Sequence, residues 1–317
     1  MKILFMGTPE FAVPSLAALL ERGYEVSAVV TQPDRPKGRK RELTPPPVKK
    51  FAAERGLPVL QPEKLRSAEG VAQVAAIAPD LIVTAAYGQI LPKSVLDLPR
   101  YGCINVHGSL LPRYRGGAPI QRSIINGEKE TGVTLMYMAE GLDTGDMISK
   151  AVVPIDDEDT AGTVFEKLSK AGAELLIDWL PRIVDGSAGR EAQNEAEATY
   201  APNLSREDEK LDWTQSSRKI YDRVRGLHPM AGGFTYLDGE VFKVWGCRLP
   251  NEADAKLKSD WLAQEPGSVL ETGPFGIRVR TGDGSLVLSE VQPAGKKALQ
   301  AAEFAKGARL APGKVLG

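Results

Sequence analysis

Lys2-Ile3-Leu4-Phe5-Met6-Gly7-Thr8-Pro9 opens the chain as a short apolar run closed by a glycine turn, and residues 14–22 then carry apolar positions at helical spacing as far as Gly23. A β-branched run at 25–31 stops at Pro33, a polar, basic loop covers 34–47, and a helix is expected over 48–55. The rhythm continues with a helix over 68–77 and the buried-strand run Asp80-Leu81-Ile82-Val83-Thr84-Ala85. Further strands are expected at 101–107, 132–138 and 147–155, and a long helix over 160–183. Strands that alternate with helices predict an α/β fold, a doubly wound, mostly parallel, Rossmann-like sheet. Its crossovers are right-handed and its ligands belong at the carboxyl ends of the strands.

Residues 186–203 are small and polar without periodicity. They divide the chain into a first domain over 1–188, a linker over 189–205 and a second domain over 206–317. After a helix expected at 215–225, the second domain changes to short runs with glycine turns at 233–236, 241–248, 267–271, 276–280 and 285–291. Five short strands without long intervening helices predict a small closed or partly closed β-barrel, OB-like in type.

Composition bounds the function classes. In 317 residues, 40 Lys and Arg balance 41 Asp and Glu, which excludes a disordered acidic tail and a uniformly basic nucleic-acid coat but leaves local basic patches open. Two cysteines, Cys103 and Cys247, and two histidines, His107 and His228, exclude a disulfide framework and argue against a zinc site, so no metal is expected. No apolar run approaches the roughly 18–20 residues that span a bilayer. The amino terminus shows no leader pattern. A cytoplasmic protein without a membrane partner is the expectation.

The richest chemistry lies in Asn105-Val106-His107-Gly108-Ser109-Leu110-Leu111-Pro112-Arg113-Tyr114-Arg115-Gly116-Gly117-Ala118-Pro119. On a strand, Asn105 and His107 face the same way, because side chains repeat every two residues. A lone His107 reads more readily as a satisfied core histidine; the paired amide shifts the reading towards a site. Glu140-Gly141-Leu142-Asp143-Thr144-Gly145-Asp146 is a second candidate, whose plain alternative is a turn. A carboxamide donates to a developing oxyanion, an imidazole moves protons near neutral pH, and a carboxylate orients either. That set suits acyl transfer to an amine without a covalent enzyme intermediate.

Other motifs are weaker. Cys103, in an apolar strand, lacks the electropositive, part-exposed setting of a catalytic thiol. Ser109 lacks a nucleophile elbow. Gly7-Thr8-Pro9 lacks the later glycines of a dinucleotide loop. Arg35-Pro36-Lys37-Gly38-Arg39-Lys40-Arg41 packs five cations into seven residues, and Lys296 and Lys297 add a second basic segment. Each is either a solvated surface or a contact for phosphates, which release counterions on binding.

Asn105 and His107, the Ser109-Leu110-Leu111-Pro112 loop with Arg115-Gly116 and Pro119, and Leu142-Asp143-Thr144-Gly145 together resemble the formyltetrahydrofolate-dependent formyltransferases. The opening Gly7-Thr8-Pro9, the basic insertion after Thr31-Gln32-Pro33-Asp34, Leu211-Asp212-Trp213 and Gly295-Lys296-Lys297 carry the resemblance along nearly the whole chain, towards the members that act on tRNA. Met230-Ala231, after His228-Pro229, departs from the family's tryptophan-proline pair.

The resemblance implies a formyltransferase domain followed by an OB-like tRNA-binding domain. It also implies transfer of the formyl group of 10-formyltetrahydrofolate to the α-amino group of initiator methionyl-tRNA, by a monomer. It names Asn105, His107 and Asp143 as catalytic. The pteridine is expected against Tyr87, Gly88, Gln89 and Ile90, with Ser109, Leu110, Leu111 and Pro112 lining the same cleft. Arg39, Lys40, Arg41, Lys296 and Lys297 are expected to meet tRNA. The alternatives are a formyltransferase for a small amine (glycinamide ribonucleotide or an amino sugar) and a binding module that has lost catalysis.

Overall fold

The computed structural model describes residues 1–38, 41–251 and 259–317. Contacts divide the chain into two units. The first holds Met1–Pro119, Glu130–Pro154 and Phe165–Pro202, and the second holds Ile120–Lys129, Ile155–Val164 and Asn203–Gly317.

The first unit is built on β1 (Lys2–Gly7), α1 (Val13–Glu21), β2 (Glu25–Val30), α2 (Pro47–Ala53), β3 (Val59–Leu60), α3 (Ala68–Ile77), β4 (Leu81–Ala85), β5 (Cys103–His107), β6 (Glu130–Tyr137) and β7 (Met147–Pro154). The sheet order is β3-β2-β1-β4-β5-β6-β7. Neighbours from β3 to β5 are parallel, and β6 runs antiparallel to both β5 and β7. β4 is apolar throughout apart from Thr84 and buried along its length, as a parallel strand covered on both faces must be. β7 instead alternates half-buried and exposed residues from Ser149 to Pro154.

Strand order reverses between β1 and β4. The chain leaves β1 for β2 and β3, then returns to place β4 on the other side of β1. That reversal opens a crevice at the carboxyl ends of the two strands. The Thr8 hydroxyl ties the loops there together, donating to the Tyr87 carbonyl at 2.8 Å.

The long helix expected over 160–183 is α4 (Ala161–Asp185). Within the first unit it lies close to β5 and β6 at Gly172, where an added Cβ would stand 2.6 Å from Val106 Cγ1 and 3.4 Å from Val133 Cγ1. The polar loop at 34–47 contains a two-strand hairpin, Arg35–Lys37 with Glu42–Thr44, that the charge-dominated sequence does not announce. Three-residue strands are too short to show alternation.

In the second unit, α5 (Ser217–Leu227) starts at Ser216, whose hydroxyl accepts the Lys219 N–H at 3.3 Å. β8 (Gly233–Leu237), β9 (Glu240–Arg248), β10 (Val269–Gly273), β11 (Gly276–Arg280), β12 (Ser285–Pro293) and β13 (Leu299–Gln300) follow, and then α6 (Ala301–Ala308). The path is β8-β9-β12-β11-β10, with β13 on β12. No ladder joins β10 to β8 among the described residues, so the barrel is open there. The last residues bridge the gap. The Val269 N–H donates to the Lys314 carbonyl (2.7 Å), the Leu316 N–H to Gly267 (2.9 Å) and the Gly317 N–H to Tyr236 (3.0 Å). Phe242, Val244, Ile277, Val279, Leu286 and Leu288 fill the interior with Trp213. Each such burial stabilises by roughly 1.5–3 kcal/mol.

Among the described residues no helix is long and apolar enough to cross a membrane. The close approach at Gly172 yields a stability test. Gly172→Ala is expected to lower stability by about 1–3 kcal/mol through overpacking against stiff β-branched neighbours, although alanine favours a helix by about 1 kcal/mol. Urea unfolding checks it, and an unchanged or raised midpoint would contradict the packing.

Candidate active site

Asn105 and His107 sit at the carboxyl end of β5, beside the end of β4. Thr84 of β4 is the register partner of Asn105. Its hydroxyl donates to Asn105 Oδ1 at 2.7 Å, which turns the amide so that Nδ2 carries the outward face. Among the described residues, Nδ2 has no protein acceptor, so both of its hydrogens remain for a ligand. The sequence gives no signal for Thr84, because a threonine inside an apolar strand looks like any β-branched filler.

His107 is buried, and its Nε2 lies 3.1 Å from the Tyr114 carbonyl. A carbonyl only accepts, so Nε2 carries the proton in either charge state, and Nδ1 is the nitrogen that gains or loses one. Nδ1 faces the Asp143 carboxylate, 3.7 Å from Oδ2. That separation is an ion-pair contact longer than a hydrogen bond.

Asp143 occupies the loop between β6 and β7 with φ at +52°, a left-handed conformation that aspartate tolerates better than most residues. Its Oδ2 accepts the Gly116 N–H at 2.8 Å. Gly116 has φ at +121° and passes so close to Ala201 that an added Cβ would stand 2.7 Å from the carbonyl oxygen, so only glycine presents this N–H.

Residues 191–201, in the stretch without periodicity, hydrogen-bond along the site loop. The Arg115 N–H donates to Thr199 (2.8 Å), the Ala201 N–H to Arg115 (2.6 Å) and the Ala118 N–H to Ala201 (3.0 Å). Composition hides this role, because small polar residues satisfy a neighbouring loop through backbone groups that leave no pattern.

The residues expected to meet a pteridine occupy the loop after β4. Gly88 and Ile90 are exposed, and the Tyr87 ring is buried in the core. The Tyr87 carbonyl is taken by Thr8 and by Gln32 Nε2 (3.2 Å). Gln89 is spent on the fold, accepting the Leu65 N–H at 2.8 Å and donating to the Pro62 carbonyl at 3.1 Å.

In the second loop, Ser109, Leu111 and Pro112 are buried, and Leu110 is part-exposed. Thr134 pins that loop to β6: its hydroxyl donates to the Ser109 carbonyl (2.7 Å) and accepts the Leu111 N–H (3.0 Å).

Of the basic residues, Arg41 is exposed at the hairpin turn of the first unit, and Lys296 and Lys297 are exposed between β12 and β13 of the second. Arg39 and Lys40 lie outside the described residues.

The formyl transferase family profile matches residues 1–180, and its C-terminal domain profile matches residues 203–309. Methionyl-tRNA formyltransferase of Bacillus subtilis (strain 168) is 54% identical over 317 residues, covering 100% of this chain and 98% of that protein. The chain belongs to the formyl transferase family. HypX from Aquifex aeolicus, solved in complex with tetrahydrofolic acid, superposes on this formyl transferase with a TM-score of 0.65 at 19% identity. That match covers 96% of this chain, which spans about half of HypX (47%). An N-formyltransferase from Helicobacter canadensis, in complex with folinic acid and dTDP-3-aminofucose, gives a TM-score of 0.66 at 19% identity, covering 92% of this chain and 99% of that one. At these identities the two structures establish the shared fold.

Cys103 lies two residues from Asn105 but is buried, and burial pushes its thiol up to about 12, with Asp97 adding to the shift. A raised thiol pKa keeps the neutral form dominant through the physiological range, so little thiolate is present at pH 8. Cys103→Ala is expected to keep turnover within about twofold, and iodoacetamide should label the native protein slowly at pH 8. Rapid labelling of Cys103 that abolishes turnover would contradict this placement.

Proposed function

We infer that the chain transfers the formyl group of 10-formyltetrahydrofolate to the α-amino group of methionine carried by initiator tRNA. Full-length similarity above half identity to a methionyl-tRNA formyltransferase supports the reading. The observation that carries the chemistry is the free Asn105 amide set beside the His107–Asp143 pair at the strand ends.

The amine nitrogen attacks the formyl carbon, the bond from that carbon to the folate N10 breaks, and the amine proton ends on N10. Asn105 Nδ2 donates to the formyl oxygen as it gains negative charge. His107, protonated on Nδ1, adds a positive charge that Asp143 stabilises. Gly116 occupies one Asp143 oxygen, and Oδ1, which accepts from no protein group among the described residues, is left to take the amine proton. Each is a role in proton or charge handling, and none requires a covalent bond to the protein.

When bound, 10-formyltetrahydrofolate supplies the activated one-carbon unit. Ala86, Gly88 and Ile90 are the exposed residues of the post-β4 loop, open to hold its pteridine, with Leu110 at the second loop. The buried Tyr87 ring and the engaged Gln89 amide keep that loop in place. Arg39, Lys40 and Arg41, with Lys296 and Lys297, are the proposed phosphate contacts for tRNA. Residues 1–188 would carry the transfer, 189–205 the connection and 206–317 the tRNA-holding barrel.

A labelled formyl donor offered with charged initiator tRNA, glycinamide ribonucleotide or an amino-sugar nucleotide tests the acceptor. Label is expected on the tRNA; label on the small amines alone would overturn the assignment. Asn105→Ala is expected to lower kcat by roughly 10²–10³-fold, the usual cost of one oxyanion donor. Wild-type kcat in a folded Asn105→Ala variant would remove the amide from the mechanism.

Replacing Arg41, Lys296 and Lys297 together by Ala should weaken tRNA binding and flatten its salt dependence, by about one unit of slope for each phosphate that is no longer neutralised. Unchanged affinity and slope would leave those residues as solvated surface.

A further inference from the structure

Gln193 stands where two kinds of neighbour decide how its amide faces. Its Nε2 donates to the carbonyls of Asp143 (2.7 Å) and Gly145 (2.8 Å). Its Oε1 accepts from Arg115, 3.0 Å from Nε and 2.8 Å from a terminal nitrogen. Carbonyls only accept and a guanidinium only donates, so the reverse orientation would oppose like groups on both sides. The Arg115 side chain is fully buried, and Glu195 pairs with it through two bonds of 2.9 and 2.8 Å. Those bonds hold the Glu195 carboxyl below its ordinary range, although Glu195 itself is largely exposed.

The contacts form a closed ring. Arg115 fixes the Gln193 amide, and that amide holds the backbone of Asp143 in its left-handed conformation. The peptide that follows Arg115 presents the Gly116 N–H to the Asp143 carboxylate (2.8 Å). Asp143 is therefore gripped at both ends, and both grips pass through Arg115.

We propose that Gln193 is a positioning residue for Asp143, its amide aimed by the Arg115–Glu195 pair so that the carboxylate stays beside His107 Nδ1. The proposal rests on the catalytic reading of Asp143. Gln193 works through Asp143, the residue its amide grips. It acts by removing the rotational freedom of a loop that carries a charge, where a misplacement of about 1 Å costs on the order of a hundredfold in rate.

Gln193→Glu separates the two sides of the residue. It keeps an acceptor for Arg115, removes both donors and sets a carboxylate against two carbonyls. The expected result is a kcat lowered by roughly 10–100-fold, a KM for donor and acceptor changed by less than about threefold, and a melting temperature close to wild type. Gln193→Met, which lacks polar side-chain atoms but leaves Arg115 with Glu195, should show the same split and serves if the glutamate variant does not fold.

The decisive measurement is the cycle with Asp143→Asn. In that background Gln193→Glu is expected to change kcat by less than about twofold, because the group through which it acts has gone. Losses that multiply in the double variant, or wild-type kcat in Gln193→Glu alone, would overturn the proposal. Full turnover in Asp143→Asn alone would instead refute the catalytic reading of Asp143, and it would be seen before Gln193 is changed.

Discussion

A guanidinium taken wholly out of water must find partners for its charge and its five N–H donors within the protein, and Arg115 places four bonds on Gln193 and Glu195 and also hydrogen-bonds Tyr200. Much of the site geometry follows from this requirement. Satisfying Arg115 draws residues 191–201 along the site loop, and its own peptide groups pair with Thr199 and Ala201. Gly116 is then held where its N–H meets Asp143. Losing Glu195 would leave the buried guanidinium short of a partner, which costs more than losing a surface ion pair does.

The sheet supplies the complementary constraint. Parallel strands that reverse order beside β1 leave a crevice at the ends of β1 and β4, and β5 delivers Asn105 and His107 next to it. Period two on a single strand guarantees that the amide and the imidazole face one way. Thr84 and the Tyr114 carbonyl then select the orientation of each: one turns the Asn105 amide outward, the other holds the proton on His107 Nε2. Chemistry here depends on groups that do no chemistry themselves.

How much of this is legible in the sequence depends on how each residue signals. β4 and the long α4 are plain, because Leu81-Ile82-Val83 and the apolar spacing of 161–185 are strong patterns. Asn105, His107 and Asp143 stand out as polar groups at strand ends and in a glycine loop. The hairpin at 35–37 and 42–44 is invisible, its strands too short and too charged to alternate. Gln193 is invisible for another reason: an amide in a run of Ala, Glu and Asn looks like any polar connector, and only the fold brings it to Asp143. The burial of Ser109, Leu111 and Pro112 is likewise hidden, since a Leu-Leu-Pro loop can line a cleft or plug the core with the same letters.

The claim beneath the chemistry is that His107 keeps its Nε2 proton on the Tyr114 carbonyl and exchanges the other at Nδ1, facing Asp143. With only two histidines in the chain, nitrogen-15 NMR of the imidazoles is direct, and a His107→Gln sample assigns the signals. In its neutral form, His107 should show a protonated Nε2 and a bare Nδ1. A neutral ring protonated on Nδ1 would contradict the arrangement, because the nitrogen facing the carboxylate could no longer take up a proton.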